Sequence, residues 1–299
     1  MPPRLAILTG GTSSERTIAL ASAEGVKNAL VGRFDVAVYV LPEELDAFLS
    51  QYRSFAAVVP VLHGRGGEDG AVQGFLRTLN VPFLFSDVEA HALASNKALA
   101  KKLVAALGVK TPQATIVSKN DEVVFARPVV VKPLDGGSSI GVSIARDAGG
   151  LAQALAAAFA LSPSALVEDF IGGEEYTVAV VDHDGATTAL PVIAIKPKTE
   201  FFDRHSKYDP QLVEEICPAP IADDLAAALK SAAVVAHGAI GARHMSRSDF
   251  IVDAEGEIWF LEINTIPGMT AASLIPKALQ VSGLDLAELI EAWIGEMTT

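Results

Sequence analysis

Apolar and polar positions follow two different periods along this chain, and the order in which those periods alternate predicts its architecture. Leu5 to Thr9, Val36 to Val40 and Phe55 to Leu62 are short, almost continuous apolar runs, the pattern of strands covered on both faces. Between the first two, Ile18, Ser22, Val26, Ala29 and Leu30 share one face of a helix from about Ser14 to Leu30, and Thr12-x-x-Glu15 reads as a capping box at its start. A helix over Gly70 to Leu79 follows the third strand, and Asn80-Val-Pro82 ends the pattern. This alternation predicts a small parallel α/β unit.

The grammar then changes. A lysine-rich helix from Ser95 to Leu107 stops at Gly108, with Pro112 just beyond. Pro128 to Pro133 and Ile140 to Ile144 read as strands around a Gly/Ser turn, followed by a helix over Leu151 to Leu161 and a strand over Ala165 to Asp169, an α+β unit. The third region has strands over Tyr176 to Val181 and Thr188 to Ile195, then an irregular stretch from Lys196 to Pro210 whose length marks a functional loop. An Ala-rich helix over Ala222 to Ile240, a hairpin from Arg243 to Asn264 and two helices close the chain. The expected domains are 1–91, 92–169 and 170–299.

Composition narrows the function. Lys and Arg number 23 against 36 Asp and Glu, a net charge of -13 that repels a phosphate backbone and removes nucleic acid as an expected partner. No apolar run approaches the ~20 residues of a membrane span, and Leu5 to Leu8 is too short for the ~7 to 15 residues of a signal-peptide core. A cytoplasmic address with no membrane partner follows. Cys217 is the only cysteine, so neither an intrachain disulfide nor a cysteine-rich zinc site can form.

The last hairpin carries the best-constrained chemistry. A two-residue turn at Glu255-Gly256 sets Asp249 opposite Glu262 and Arg247 opposite Asn264. Period two puts those four side chains on one face beside Ile251, Ile258 and Phe260, with Phe250, Val252, Trp259, Leu261 and Ile263 on the other. Opposed carboxylates repel, so a buried pair must share a proton or hold a cation; two carboxylates and an amide oxygen suit Mg2+ or Mn2+. An Arg247 to Asp249 salt bridge is the bland alternative, and it accounts for only one carboxylate.

Lys132 ends an apolar strand before Asp135-Gly-Gly-Ser-Ser139, offering a point charge and backbone N–H groups to phosphate, although a plain turn has the same composition. Neither the Walker nor the Rossmann glycine fingerprint occurs. Lys97 at a helix start either meets an anion or is simply solvated. Glu168 and Glu175 bracket Asp169-Phe-Ile-Gly-Gly173, a strand end that could grip a purine edge or carry ordinary surface carboxylates. Glu15 can cap its helix or hold an ammonium. His63 opens a loop with four glycines, His63-Gly-Arg-Gly-Gly-Glu-Asp-Gly70, whose backbone can approach a ligand closely. Gly268 follows the hairpin directly, and Ser273 opens a helix where a carboxylate would be welcome, or acts as a plain N-cap.

In this order the motifs resemble the ATP-grasp ligases, and among them the D-alanine:D-alanine ligase family. The carrying segments are Gly10-Gly-Thr-Ser-Ser-Glu-Arg16, His63 to Gly70, Lys132-Pro with Gly137-Ser-Ser139, Ser206-Lys-Tyr208, Arg247-x-Asp249 and Glu262-Ile-Asn-Thr-x-Pro-Gly-Met-Thr270. The resemblance implies an ATP-grasp fold of mixed α/β and α+β class, with an N-terminal Rossmann-like domain and three domains in all. It implies a homodimer that ligates two D-alanines to D-alanyl-D-alanine through a D-alanyl phosphate, for peptidoglycan precursor synthesis.

By the same resemblance Lys97, Lys132 and Lys207 would contact ATP phosphates under the Ser138 loop, while Glu168, Phe170, Ile171 and Glu175 would hold adenine and ribose. Asp249, Glu262 and Asn264 would bind two Mg2+. Glu15 would orient the first D-alanine's ammonium, linked to Ser138 and Tyr208, with His63 nearby. Arg247 and the Gly268 N–H would stabilise the oxyanion, and Ser273 with the Leu274 N–H would take the second D-alanine's carboxylate. Ile266 and Asp135-Gly136 depart from the usual family residues. A D-alanine:D-lactate ligase and a catalytically silent nucleotide-binding ATP-grasp module are the competing expectations; Lys207-Tyr208 speaks against the first.

Overall fold

The computed structural model describes residues 2–134, 140–197, 213–270 and 272–297. Three parallel strands open the fold: β1 (Arg4–Gly10), β2 (Asp35–Leu41) and β3 (Ala57–Pro60), in the order β2-β1-β3. Central β1 buries Leu5 to Leu8 completely, which is why that segment is a continuous apolar run rather than an alternating one.

Helix α1 (Arg16–Leu30) buries Ala19, Ser22, Ala23, Val26 and Leu30, so the expected face is rotated slightly and Ala29 is exposed. The capping box does not form. Glu15 is itself the N-cap residue and its side chain makes no cap bond; its N–H goes to Ser13 Oγ at 3.2 Å. The short helices α2 (Leu45–Leu49), α3 (Ala71–Thr78) and α4 (Val88–Ser95) complete this unit. Sequence reading missed α2, which is five residues long, and α4, whose small and apolar residues show no one-sided period.

Next, α5 (Lys97–Ala106) is capped by Asn96, whose Oδ1 accepts the Leu99 N–H at 3.1 Å, not by Ser95. Four antiparallel strands follow in the order β4-β7-β5-β6: β4 (Ala114–Ser118), β5 (Val129–Pro133), β6 (Ser143–Ala145) and β7 (Ser164–Asp169). With α6 (Ala148–Phe159) they enclose a core of their own, including Val117, Val131, Leu151 and Ala165.

The last sheet runs β11-β10-β8-β12-β13, with β9 (Ala186–Ala189) also on β8 (Glu174–His183). The single strand expected over Thr188 to Ile195 divides into β9 and β10 (Ile193–Pro197), because Pro191 cannot donate to a ladder. Strand β11 (Val213–Ile216) is too short and charged to have been read from the sequence. Along β8, Val178 and Val180 face α5 and α7 (Asp223–Ala239), whereas Ala179 and Val181 face α8 (Leu274–Ser282), α9 (Leu286–Met297) and the first unit. The alternation of β8 thus joins two cores.

The hairpin β12 (Met245–Val252) to β13 (Ile258–Asn264) pairs Asp249 with Glu262 and Arg247 with Asn264, as the spacing predicts. It reaches that register differently. The last pair is Val252 and Ile258, so the turn has five residues, gathered by Asp253 Oδ1, which accepts the Glu255 and Glu257 N–H groups. A bulge at Leu261 then restores the register, since Phe250 pairs with Phe260 rather than Leu261. Phe260 therefore lies on the face of Phe250, their rings 5.9 Å apart in the core, and not beside Asp249 as strict alternation predicts.

Candidate functional site

The bulged hairpin sets two acids in register, and each meets a cation. Arg247 Nε and a terminal nitrogen lie 3.0 Å from the two Asp249 oxygens, and Thr177 donates to Asp249 Oδ1 at 2.6 Å. Glu262 Oε2 lies 3.4 Å from Lys97 Nζ. Burial opposes the Arg247 charge, but Asp249 beside it, helped by Glu262 and Glu68, raises its pKa above that of an ordinary arginine. The salt bridge and the opposed carboxylates thus coexist. Lys97 is not a solvated lysine; its side chain is 13% exposed.

Among the described residues no three His, Cys, Asp or Glu side chains converge on a metal position. The donors here are instead two carboxylates and an amide. Among the described residues Asn264 Nδ2 is buried with no hydrogen-bond partner, a donor that an acceptor such as a phosphate oxygen would satisfy, while Oδ1 is the atom able to ligate a cation. Hard oxygen ligands of this kind fit Mg2+ or Mn2+.

Lys132, on β5, donates to Glu168 Oε2 at 2.8 Å, and Lys101, on α5, lies 3.2 Å from Glu168 Oε1 without hydrogen-bond geometry. Glu168 is 2% exposed, so the surface-carboxylate alternative fails for it. Burial raises its pKa, yet Lys132 and then Lys101 bring it below the usual value. The two lysines diverge: burial opposes both charges, but Glu168 and Glu262 hold Lys132 above the ordinary lysine value, whereas Lys101 falls to about 8. Lys101 is farther from Glu168 and repelled by Lys132. Sequence reading missed Lys101, although its four-residue spacing from Lys97 on an otherwise apolar helix face was a signal.

Beyond Glu168, Phe170 takes the Arg146 guanidinium over its ring at 4.9 Å, and Ile171 and Glu175 are half-buried.

The first unit contributes Glu15 and His63, both 6% exposed. The φ of +73° at Gly64 favours glycine, and a Cβ there would stand 2.6 Å from Glu15 Oε2, so this backbone lies directly against the carboxylate. His63 contacts Glu68 Oε1 at 3.3 Å and Ser22 Oγ at 3.0 Å. Burial disfavours its charged form, but Glu68 and then Glu15 raise its pKa above the ordinary value. Ser273 precedes α8 without capping it; its hydroxyl meets Thr270 Oγ1 at 2.8 Å, and Gly268 lies close by. Leu274 is buried as the first residue of α8. A cavity of about 370 Å³ is walled by Glu68, Lys97, Leu134, Glu262 and Asn264, bringing the three units together. Ser138, Lys207 and Tyr208 lie outside the described residues.

Two antiparallel sheets with buried lysines between them, preceded by a parallel α/β unit, make the ATP-grasp fold. The family model described as D-ala D-ala ligase C-terminus matches residues 102–295, and the chain belongs to the D-alanine–D-alanine ligase family. It is 38% identical to the D-alanine–D-alanine ligase of Gloeobacter violaceus, covering 96% of this chain and 97% of that one. Among solved structures, the ATP complex of the Bacillus anthracis D-alanine–D-alanine ligase is similar with a TM-score of 0.82 and 28% identity, over 97% of this chain and 95% of that one. The VanG D-Ala:D-Ser ligase of Enterococcus faecalis gives 0.83 and 26%, over 99% of each.

Proposed function

We propose that this chain joins two D-alanines into D-alanyl-D-alanine with conversion of ATP to ADP and phosphate. The observation that carries this reading is the convergence of Lys97, Glu262 and Asn264 with Glu68, from the His63 loop, on one cavity. A phosphate-binding cation, Lys97, and a metal-binding acid, Glu262, then share a space with the loop whose Gly64 adjoins Glu15.

Lys97 and Lys132, with Lys207 and the Ser138 loop, hold the ATP phosphates. Glu168 Oε1, which among the described residues makes no hydrogen bond and lies 3.2 Å from Lys101 Nζ, together with Phe170, Ile171 and Glu175, receives adenine and ribose. Asp249, Glu262 and Asn264 would hold two Mg2+, or Mn2+, whose positive charge lowers the cost of gathering phosphate oxygens. Glu15 anchors the ammonium of the first D-alanine beside His63 and orients its carboxylate toward the γ-phosphorus. That carboxylate oxygen bonds to phosphorus as the bond to ADP breaks, giving D-alanyl phosphate.

Ser273 and the Leu274 N–H hold the carboxylate of the second D-alanine. Its neutral amine attacks the acyl carbon, the oxyanion meets Arg247 and the Gly268 N–H, and the intermediate collapses to the amide as the acyl–oxygen bond breaks and phosphate departs with the proton lost by the nitrogen. Closing the site against water would fall to Tyr208 with Ser138 and Glu15, as the resemblance implies. The protein works as a cytoplasmic homodimer in peptidoglycan precursor synthesis; among the described residues no helix is long and apolar enough to cross a membrane.

The test is phosphate release and product identity with ATP, Mg2+ and D-alanine alone, then with D-lactate or D-serine added. Dipeptide and phosphate should appear in equal amounts with D-alanine alone. Absence of phosphate, or preferential formation of a mixed product, would overturn the assignment.

A further inference from the structure

Lys101 has no part in the reaction described above, yet it is 3% exposed, and an ammonium group is costly to bury without a purpose-built partner. Among the described residues it has two polar contacts, on different sheets. Its Nζ lies 3.2 Å from Glu168 Oε1, on β7, and donates to the Phe260 carbonyl at 3.3 Å, on β13. Phe260 directly precedes the bulged Leu261, and its N–H also leaves the ladder, donating to the Lys110 carbonyl at 2.8 Å. Both backbone groups of Phe260 are thus held by residues on the α5 side, one residue from the bulge that brings Glu262 opposite Asp249. On the other sheet, Glu168 uses its second oxygen for Lys132 at 2.8 Å. With Lys101 removed, Lys132 would be the remaining cation on that carboxylate and would be drawn more tightly to it.

We propose that Lys101 is a positioning residue for the nucleotide: it ties the strand of Glu168 to the strand of Glu262 and shares the Glu168 charge, which leaves the Lys132 ammonium available to a phosphate. This inference rests on the ligase reading above. Lys101 acts through Glu168 and Phe260 and touches no reacting atom.

Full-length wild type, Lys101→Met and Lys101→Arg separate a positioning role from simple filling. Steady-state kinetics would be measured together with titration by MgADP, which needs no turnover. Lys101→Met, similar in shape and uncharged, should raise the KM for ATP and the Kd for MgADP at least about tenfold, with both D-alanine KM values within about twofold. Lys101→Arg should recover most of the nucleotide affinity. In Glu168→Gln, adding Lys101→Met should cost little more, since the group it acts through is already neutral. Unchanged nucleotide constants in Lys101→Met, or an equal loss for every substrate, would overturn the proposal. If Lys101→Met is insoluble, Lys101→Gln decides by the same constants. Failure of the ligase reading would appear separately, as wild type that binds MgADP in a Lys101-dependent way but releases no phosphate with D-alanine.

Discussion

Asp249 and Glu262 face one another, but Arg247 and Lys97 take up their charges separately. Glu262→Gln removes a charge from the proposed metal site while relieving repulsion from Asp249, so activity and stability should separate. Turnover should fall about a hundredfold or more, with the melting temperature within about 3 °C of wild type. Comparable turnover at saturating Mg2+ would take the hairpin out of the mechanism. Glu15 offers a second test, because its side chain does not cap α1. Glu15→Gln should raise the KM for the first D-alanine far more than that for ATP; a change confined to melting temperature would reduce Glu15 to a packing group. Legibility at this scale was partial: counting from a two-residue turn reached the right partners for Asp249 and Arg247 because a longer turn and a bulge compensate, whereas Lys101 gained its meaning only when β7 and β13 were brought to it.

Among the elements, α1 meets the loop before α8 at Gly25. A Cβ there would stand 2.2 Å from the Met269 carbonyl oxygen, inside any van der Waals contact. Gly→Ala within a helix ordinarily stabilises by about 0.5–1 kcal/mol. Here the clash should reverse the sign, costing about 1–3 kcal/mol. Displacement of Gly268 to Ser273 should also raise the KM for the second D-alanine, measured at saturating first substrate and ATP. A more stable variant with unchanged kinetics would show that this loop gives way freely. Helix α1 and strands β1 and β8 were readable from the sequence because one pattern persists over each, a helical period in α1 and nearly unbroken apolar runs in the two strands. The bulge at Leu261 was not, since an extra residue leaves no local compositional mark and is set by packing of Phe260 against Phe250.

Across the whole molecule, the first unit and the last sheet meet around His244. Its Nδ1 accepts the Phe85 N–H at 2.9 Å, its ring stacks on Trp293 at 5.0 Å, and its backbone N–H donates to Asp182 Oδ2 at 2.6 Å. Burial, then Arg243, lowers its pKa from 6.5 to about 4. Between these values the unfolded chain holds a proton that the folded chain does not, so stability rises with pH. The contribution is full above about 6.5, is lost as pH falls toward about 4, and amounts to on the order of 3 kcal/mol. His244→Asn, which tolerates the left-handed φ of +67° and can still accept a hydrogen bond, should flatten the dependence of urea midpoint on pH between 7 and 4.5. An equal slope in both proteins would assign the acid sensitivity elsewhere, with His91, also pushed to about 4 by burial, the next group to replace.

The alternation of elements and the motifs that carry the family resemblance could be read along the chain, because residue type and spacing write them directly; the pairing of Asp249 with Glu262 was also expected, but a five-residue turn and the bulge at Leu261 produce it in place of the two-residue turn from which it was counted. The pairing of Asp249 with Arg247 and of Glu262 with Lys97, the burial of Glu168 between two lysines and the core shared by the first and last units arise from tertiary packing. Those outcomes depend on distances between segments far apart in the chain. At such contacts burial costs and ion pairing compete, and the balance exists only once the sheets have met.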